Sequence, residues 1–244
     1  MSLSHEELVR YDRQIKLIGK ESQERLSRSK VLIVGIGGLG SVVSLYLTAA
    51  GVGELFIVDS ERVELSNLNR QIIYTTRDIN RLKVEVAAGR LKELNPHVNI
   101  RAYPARASKE LLEELLEKVD LAIDCTDNWE TRLMLNDVAI KHRKPFIHAG
   151  VHGFHGQLLV VVPGVTPCLR CILPGKPADQ GEIPVLGTTP GIIGLLQATE
   201  AIKILTGTGT PLLNKLLIYD GFHTRFHEVI VYRNPRCPAC KGLT

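Results

Sequence analysis

A loop carrying four glycines, Gly35-Ile36-Gly37-Gly38-Leu39-Gly40, separates an apolar run (Lys30 to Val34) from a stretch of small residues (Gly38 to Ala50). A second apolar run, Leu55 to Val58, follows. This order reads as strand, glycine turn, helix and strand. Gly35, Gly37 and Gly40 fit G-x-G-x-x-G, whose missing side chains allow a tight turn, close approach of a phosphate to the backbone and close packing of helix on strand. Asp59 ends the second strand, where a carboxylate can bond a ribose hydroxyl. The uncharged stretch Val31 to Gly53 is long enough to raise a membrane span, but its glycines and loop interrupt it, and a buried strand and helix account for it better.

The alternation continues. Lys83 to Leu94 has helical spacing and stops at Asn95-Pro96, Val98 to Ala102 is strand-like, Ser108 to Lys118 is an amphipathic helix, and Leu121 to Asp124 is a buried strand. Beyond Pro145 we expect strands at Phe146 to Ala149 and Gln157 to Val162, a Pro/Gly-rich crossing from Pro163 to Pro190 as the best candidate for a mobile loop, an apolar helix from Ile192 to Leu205, and paired strands near Lys215 to Tyr219 and Phe226 to Tyr232. Ser4 caps an amphipathic helical arm. The expected fold is α/β: a Rossmann-like, doubly wound, mainly parallel sheet with a C-terminal antiparallel extension. All 244 residues form one unit, with a helical arm (1–28), a nucleotide-binding half (29–150) and a second half (151–244).

Apolar content of 44% and a charged fraction of 23% exclude long disorder. A net charge of +4 is too mild to argue for nucleic acid; it agrees with anionic ligands, an acidic partner or simply a basic solvated surface. The first ten residues are charged rather than a secretory leader, which points to a reducing cytoplasm. Cys168/Cys171 and Cys237/Cys240 form two Cys-x-x-Cys pairs able to supply four thiolates to a closed tetrahedral Zn2+ site, tying the crossing loop to the C-terminus; two redox dithiols are the lesser alternative. The remaining cysteine, Cys125, reads as a small buried strand-end residue rather than a nucleophile. His148, His152 and His155 are separated by glycines that disfavour a shared helical face, so ordinary hydrogen-bonded histidines are expected.

Chemistry at a triphosphate needs cations around the reacting phosphate, and a dinucleotide needs fewer. Arg70 and Lys83 are the candidate cations, although either alone can be a solvated charge. Asp127 and Asn128 follow the strand Leu121 to Asp124, where open α/β sheets bind ligands. Asp127 can hold a magnesium ion, and a turn or helix cap is the competing role.

Taken in order, Arg10-Tyr11-Asp12-Arg13-Gln14-Ile15, Gly35 to Gly40, Asp59, Leu65-Ser66-Asn67-Leu68-Asn69-Arg70-Gln71, Lys83, Asp124-Cys125-Thr126-Asp127-Asn128 and the two cysteine pairs resemble the MoeB/ThiF/HesA family, relatives of the ubiquitin-activating enzymes. The resemblance implies an ATP-dependent adenylyltransferase acting on the C-terminal glycine of a ubiquitin-fold sulfur-carrier protein ending in Gly-Gly, for molybdopterin, thiamine or tRNA-thiolation pathways. It implies that Gly38 lies against the phosphates, that Asp59 bonds the ribose, that Asn67, Arg70 and Lys83 contact the triphosphate with Ser66 and Asn69 beside them, and that Asp127 binds Mg2+. It further implies that Arg13 reaches into the site of the other protomer of a homodimer.

One departure stands out. Many relatives carry a cysteine in the crossing loop, but the matching stretch here runs Asp179-Gln180-Gly181-Glu182-Ile183-Pro184-Val185-Leu186-Gly187 without one. A carrier covalently attached to that loop is therefore not expected. Nor is an appended rhodanese-like domain, so an external sulfur donor takes the adenylate. Competing readings are a relative that adenylates a carboxylate on a tRNA nucleoside, a nicotinamide-dependent oxidoreductase sharing the glycine loop and Asp59, and a non-catalytic scaffold for a ubiquitin-fold protein.

Overall fold

The computed structural model describes residues 3–173, 175, 177 and 184–243. Asp179 to Ile183, the part of the crossing that bears on the absent cysteine, lies outside the described residues. Eight strands form one sheet: β1 (Lys30–Val34), β2 (Glu54–Val58), β3 (Asn99–Tyr103), β4 (Leu121–Asp124), β5 (Phe146–His152), β6 (His155–Val161), β7 (Lys215–Asp220) and β8 (Arg225–Ile230). Their spatial order is β3-β2-β1-β4-β5-β6-β7-β8. The first five are mutually parallel and the last three pair antiparallel, as the strand, turn and hairpin pattern predicts.

Three short helices, α1 (His5–Arg10), α2 (Asp12–Ile18) and α3 (Lys20–Leu26), make the arm. They are followed by α4 (Gly38–Ala50), α5 (Lys83–Leu94), α6 (Lys109–Lys118), α7 (Trp129–Lys141), α8 (Leu169–Ile172) and α9 (Thr188–Thr206). Boundaries follow local chemistry. Ser4 closes a capping box with Glu7, α4 ends at Gly51 in the left-handed region (φ 84°), and Ser108 accepts from the Leu111 amide to start α6.

Strand side chains alternate between two cores. Val31, Ile33, Leu55 and Ile57 pack against α4, α5 and α9 through Val43, Leu47, Leu91 and Ile193. Leu32, Val34, Phe56 and Val58 face α6 and α7 through Leu112, Leu115, Leu116 and Leu135. Each fully buried leucine or phenylalanine contributes roughly 1.5–3 kcal/mol of transfer free energy. The sequence pattern did not single out α7. Its buried residues include Thr131, Arg132, Leu133, Asn136 and Val138, so polar and apolar positions alike face protein and no apolar stripe marks the helix.

The sheet fixes where a ligand can sit. From β1 the chain builds outward to β2 and β3, then returns to add β4 and β5 on the other side. The carboxyl ends of β1 and β4 therefore border a crevice, the switch point at which open α/β sheets bind ligands.

Candidate functional site

A cleft of about 910 Å³ opens at this switch point. The glycine loop forms one wall. Gly35 has φ 90°, and a Cβ there would lie 2.6 Å from the Cys125 carbonyl; at Gly40 a Cβ would lie 2.0 Å from the Gly35 carbonyl. The loop thus closes on itself and on the end of β4 only without side chains. No side chain caps α4, leaving its first-turn amides available to an anion.

Gly35, Gly37, Gly38, Asp59, Arg70, Lys83, Asp127 and Asn128 all line this cleft. Asp59 is clamped to the loop, its two oxygens accepting from the Ile36 and Glu61 amides at 2.8 Å each. Burial pushes its carboxyl above the ordinary range, against those amides and the charge of Lys83. Lys83 begins α5, is only 2% exposed and pairs through Nζ with Glu61 Oε2 at 2.5 Å. This carboxylate partner has no local sequence signature, because Glu61 lies 22 residues upstream of Lys83. Asp127 is exposed to the cleft and has no hydrogen bond among the described residues, whereas Asn128 also caps α7 by accepting from the Thr131 amide at 2.9 Å.

Other expected site residues lie off the cleft wall. Ser66, Asn67 and Asn69 surround Arg70: Nη1 of Arg70 donates to the Ser66 carbonyl and to Asn69 Oδ1, both at 2.9 Å, while buried Asn67 caps the turn by accepting from the Glu64 amide at 3.1 Å. They orient the cation. Gly40 serves the loop's packing, and Arg13 is exposed on α2, away from its own chain's cleft.

Further polar residues form part of the cleft wall and the layer beneath it. Gln71 is buried at the wall with no partner for Oε1. The Asp124 carboxylate, fully buried, accepts from Thr126 N at 3.0 Å, Thr126 Oγ1 at 2.7 Å and His148 Nδ1 at 2.7 Å. Arg132 lies 3.7 Å from it, and Gln157 meets His148 Nε2 at 3.2 Å. Burial opposes ionisation of Asp124, but hydrogen bonding to His148 and the nearby Arg132 prevail and hold its carboxyl below the usual range. Burial lowers His148, keeping it neutral despite Asp124. His148 is thus the core histidine expected, and His152 and His155 line the cleft without converging on a shared ligand position. Cys125 is buried with its Sγ 3.7 Å from Gln197 Oε1, and burial pushes its thiol well up, the surroundings of a packed strand-end residue.

The four paired cysteines converge at the other end of the second half, their sulfurs all within 4.8 Å of one another. Separations of 3.9, 3.6 and 3.4 Å bracket the edge of about 3.8 Å expected for a tetrahedron with metal–sulfur bonds of about 2.3 Å. Burial and the neighbouring sulfur of Cys171 raise the Cys240 thiol to about 11, the direction a bound dication reverses. Arg170, between the first pair, forks onto Asp137 of α7 at 2.6–2.9 Å.

The family model described as ThiF family matches residues 11–239. A sulfur carrier protein adenylyltransferase of Thermus thermophilus is 45% identical over 253 residues, covering 98% of this chain and 93% of that protein. A sulfur carrier protein ThiS adenylyltransferase of Escherichia coli is 39% identical over 246 residues, covering 98% of each. Among solved structures, E. coli MccB with MccA-N7isoASN superposes with a TM-score of 0.86 over 98% of this chain and 76% of that one, at 23% identity, a likeness of fold. Glycine loop, switch-point cleft, cysteine cluster and near full-length likeness agree: the chain belongs to the ThiF family.

Proposed function

We propose that this enzyme is an adenylyltransferase that activates the C-terminal glycine of a ubiquitin-fold sulfur carrier. The observation that carries the reading is the convergence of Arg70, Lys83 and Asp127 with the uncapped start of α4 on one cleft, which supplies more charge control than a dinucleotide requires. In the reaction, a carboxylate oxygen of the carrier's last glycine bonds to the α-phosphorus of ATP. The bond from that phosphorus to the bridging oxygen breaks, and pyrophosphate departs with the electron pair. Attack of one anion on another is opposed by their repulsion. Arg70 and Lys83 offset that charge, α4 amides hold phosphate oxygens, and Asp59 bonds the ribose.

Lys83 must divide its charge between Glu61 and the incoming phosphates, so Glu61 holds it in place until ATP arrives. Asp127, a hard oxygen donor without another partner among the described residues, fits Mg2+, which when bound would neutralise phosphate charge. The four sulfurs fit a structural Zn2+. Arg13, exposed on the arm, supports a homodimer in which it enters the partner's cleft. The second half, 151–244, is then the carrier-binding and zinc half. Free cysteines fit a reducing cytoplasm. With no cysteine among 179–187, the adenylate passes to an external sulfur donor, serving thiamine, molybdopterin or tRNA-thiolation chemistry.

ATP–pyrophosphate exchange with magnesium tests this, using ubiquitin-fold carriers ending in Gly-Gly and the same carriers without those glycines. Exchange only with intact tails is expected. Exchange independent of the tail, or none with any carrier, overturns the reading.

A further inference from the structure

Arg132 and Gln157 face the same gap on the β5–β6 side of the cleft. A Cβ on Gly150 would lie 3.4 Å from Arg132 Nη1 and 3.4 Å from Gln157 Nε2, so the absent side chain leaves the two polar heads a common space. All three residues line the cleft that holds the glycine loop.

The orientation of Gln157 follows from its neighbours. Ionised Asp124 can only accept, so His148 must carry its proton on Nδ1 and present a lone pair at Nε2. Gln157 must then turn its NH2 toward His148, which leaves Oε1 as an acceptor. Arg132 is restrained too. Its Nη2 donates to the Thr126 carbonyl at 2.6 Å, its guanidinium lies 5.0 Å over the Trp129 ring, and its side chain is 8% exposed. Yet among the described residues neither Nε nor Nη1 has a hydrogen-bond partner. A buried guanidinium with unused donors, sharing a gap with an amide whose NH2 is held by His148 and whose oxygen is left to accept, is matched by a group bearing an oxyanion close to an N–H.

We propose that Arg132 and Gln157 clamp the last residue of the acyl donor, Arg132 donating from Nη1 to its carboxylate and Gln157 Oε1 accepting its peptide N–H. The clamp rests on the adenylation reading and deepens it, because it requires a donor linked through a secondary amide, as a peptide tail is, and rejects free or N-alkylated acids. Asp124 and His148 act through these two as positioning residues.

The test is pyrophosphate exchange with a carrier ending in Gly-Gly and a semisynthetic carrier whose last residue is N-methylglycine, which lacks the N–H. Wild-type kcat/KM falls about tenfold or more on methylation, the scale of one lost hydrogen bond to a buried partner. Gln157→Leu lowers kcat/KM for the native carrier by a similar factor, leaves the KM for ATP unchanged and abolishes the methylation penalty. Arg132→Lys, which keeps a countercharge for Asp124, raises the carrier KM about tenfold with ATP binding intact. A full methylation penalty in Gln157→Leu, or native-carrier kinetics unaltered in both variants, overturns the clamp alone. Absence of wild-type exchange with every Gly-Gly carrier overturns the adenylation reading and the clamp with it.

Discussion

At the glycine-loop end of the cleft the groups aimed at a ligand are backbone amides and cations on long stems, whereas at the β5–β6 end they are side chains locked to one another beneath the surface. The loop end is built from contiguous sequence: Gly35 to Gly40 form the turn, and Ser66 to Asn69 hold Arg70. The other end joins residues from β4, β5, β6 and α7. A phosphate can be met by repeated, forgiving contacts, but one terminal residue needs donor and acceptor held in fixed relation.

Removing the zinc proposed for the cysteine cluster is expected to break the comparison most severely. Structural zinc in small domains contributes on the order of 10 kcal/mol. Here its cluster joins the C-terminus to α8, and Arg170 ties α8 to Asp137 on the helix that carries Arg132. Cys240→Ser, or chelation of a preparation holding one zinc per chain, is expected to lower the thermal midpoint by many degrees and to abolish carrier-dependent exchange, while ATP binding measured by calorimetry persists. Equal loss of ATP and carrier binding would show that the two ends stand or fall together.

Next in size are the cations. Arg70→Ala and Lys83→Ala each lower exchange about a hundredfold or more without lowering the unfolding midpoint in proportion. Near wild-type turnover removes the residue from the reaction. Lys83 carries a further signature: Glu61→Gln leaves a buried ammonium without its carboxylate, so it costs stability in the free enzyme and less with ATP bound.

A smaller effect comes from pH. Because burial raises the Asp59 carboxyl, its ionisation destabilises the free chain as pH rises through that raised value, relative to the unfolded value of about 3.9. In the proposed ATP complex the Asp59 anion accepts the ribose bond better, so the KM for ATP should rise on acidification sooner than an ordinary aspartate would cause. Asp59→Asn removes that pH dependence. Burial acts on His148 with the opposite sign: its depressed value means that the stability from neutral imidazole is present above about pH 6.5 and is lost as pH falls through the folded value. The smallest expected effect is Asn128→Ala, about 1 kcal/mol in a denaturant melt for the lost α7 cap. An added rise in the KM for ATP would assign Asn128 a ligand contact beyond the cap.

This contrast also explains what the residues disclosed before folding. The helix Gly38 to Ala50 was legible to the residue, because a glycine turn starts it and Gly51 stops it. The cysteine cluster was legible from spacing alone. Helix α7 was missed because Arg132 and Asn136 are buried for their polarity, which erases the periodic stripe. The partners of Asp124 lie 8 and 24 residues downstream in Arg132 and His148, and the Glu61 bond to Lys83 spans 22 residues; no local pattern joins such pairs. Ser66, Asn67 and Asn69 carry no local mark of the bonds they make, because motif membership does not distinguish a residue that touches a ligand from one that aims its neighbour.

The arm has a mechanical consequence. Tyr11 is buried, its hydroxyl accepts from Asn95 Nδ2 at 2.7 Å, and its ring lies so close to Gly51 that a Cβ there would be 2.5 Å from it; Gln14 and Gln23 both bind the Ala50 carbonyl, at 3.0 and 2.9 Å. The arm is therefore bolted on rather than tethered, and its direction is settled when its own chain folds. The backbone that carries Arg13 is fixed in advance, so in the proposed dimer the partner's cleft must be brought to it by the approach of two preformed bodies, with little backbone ordering entropy left to lose at the moment they meet.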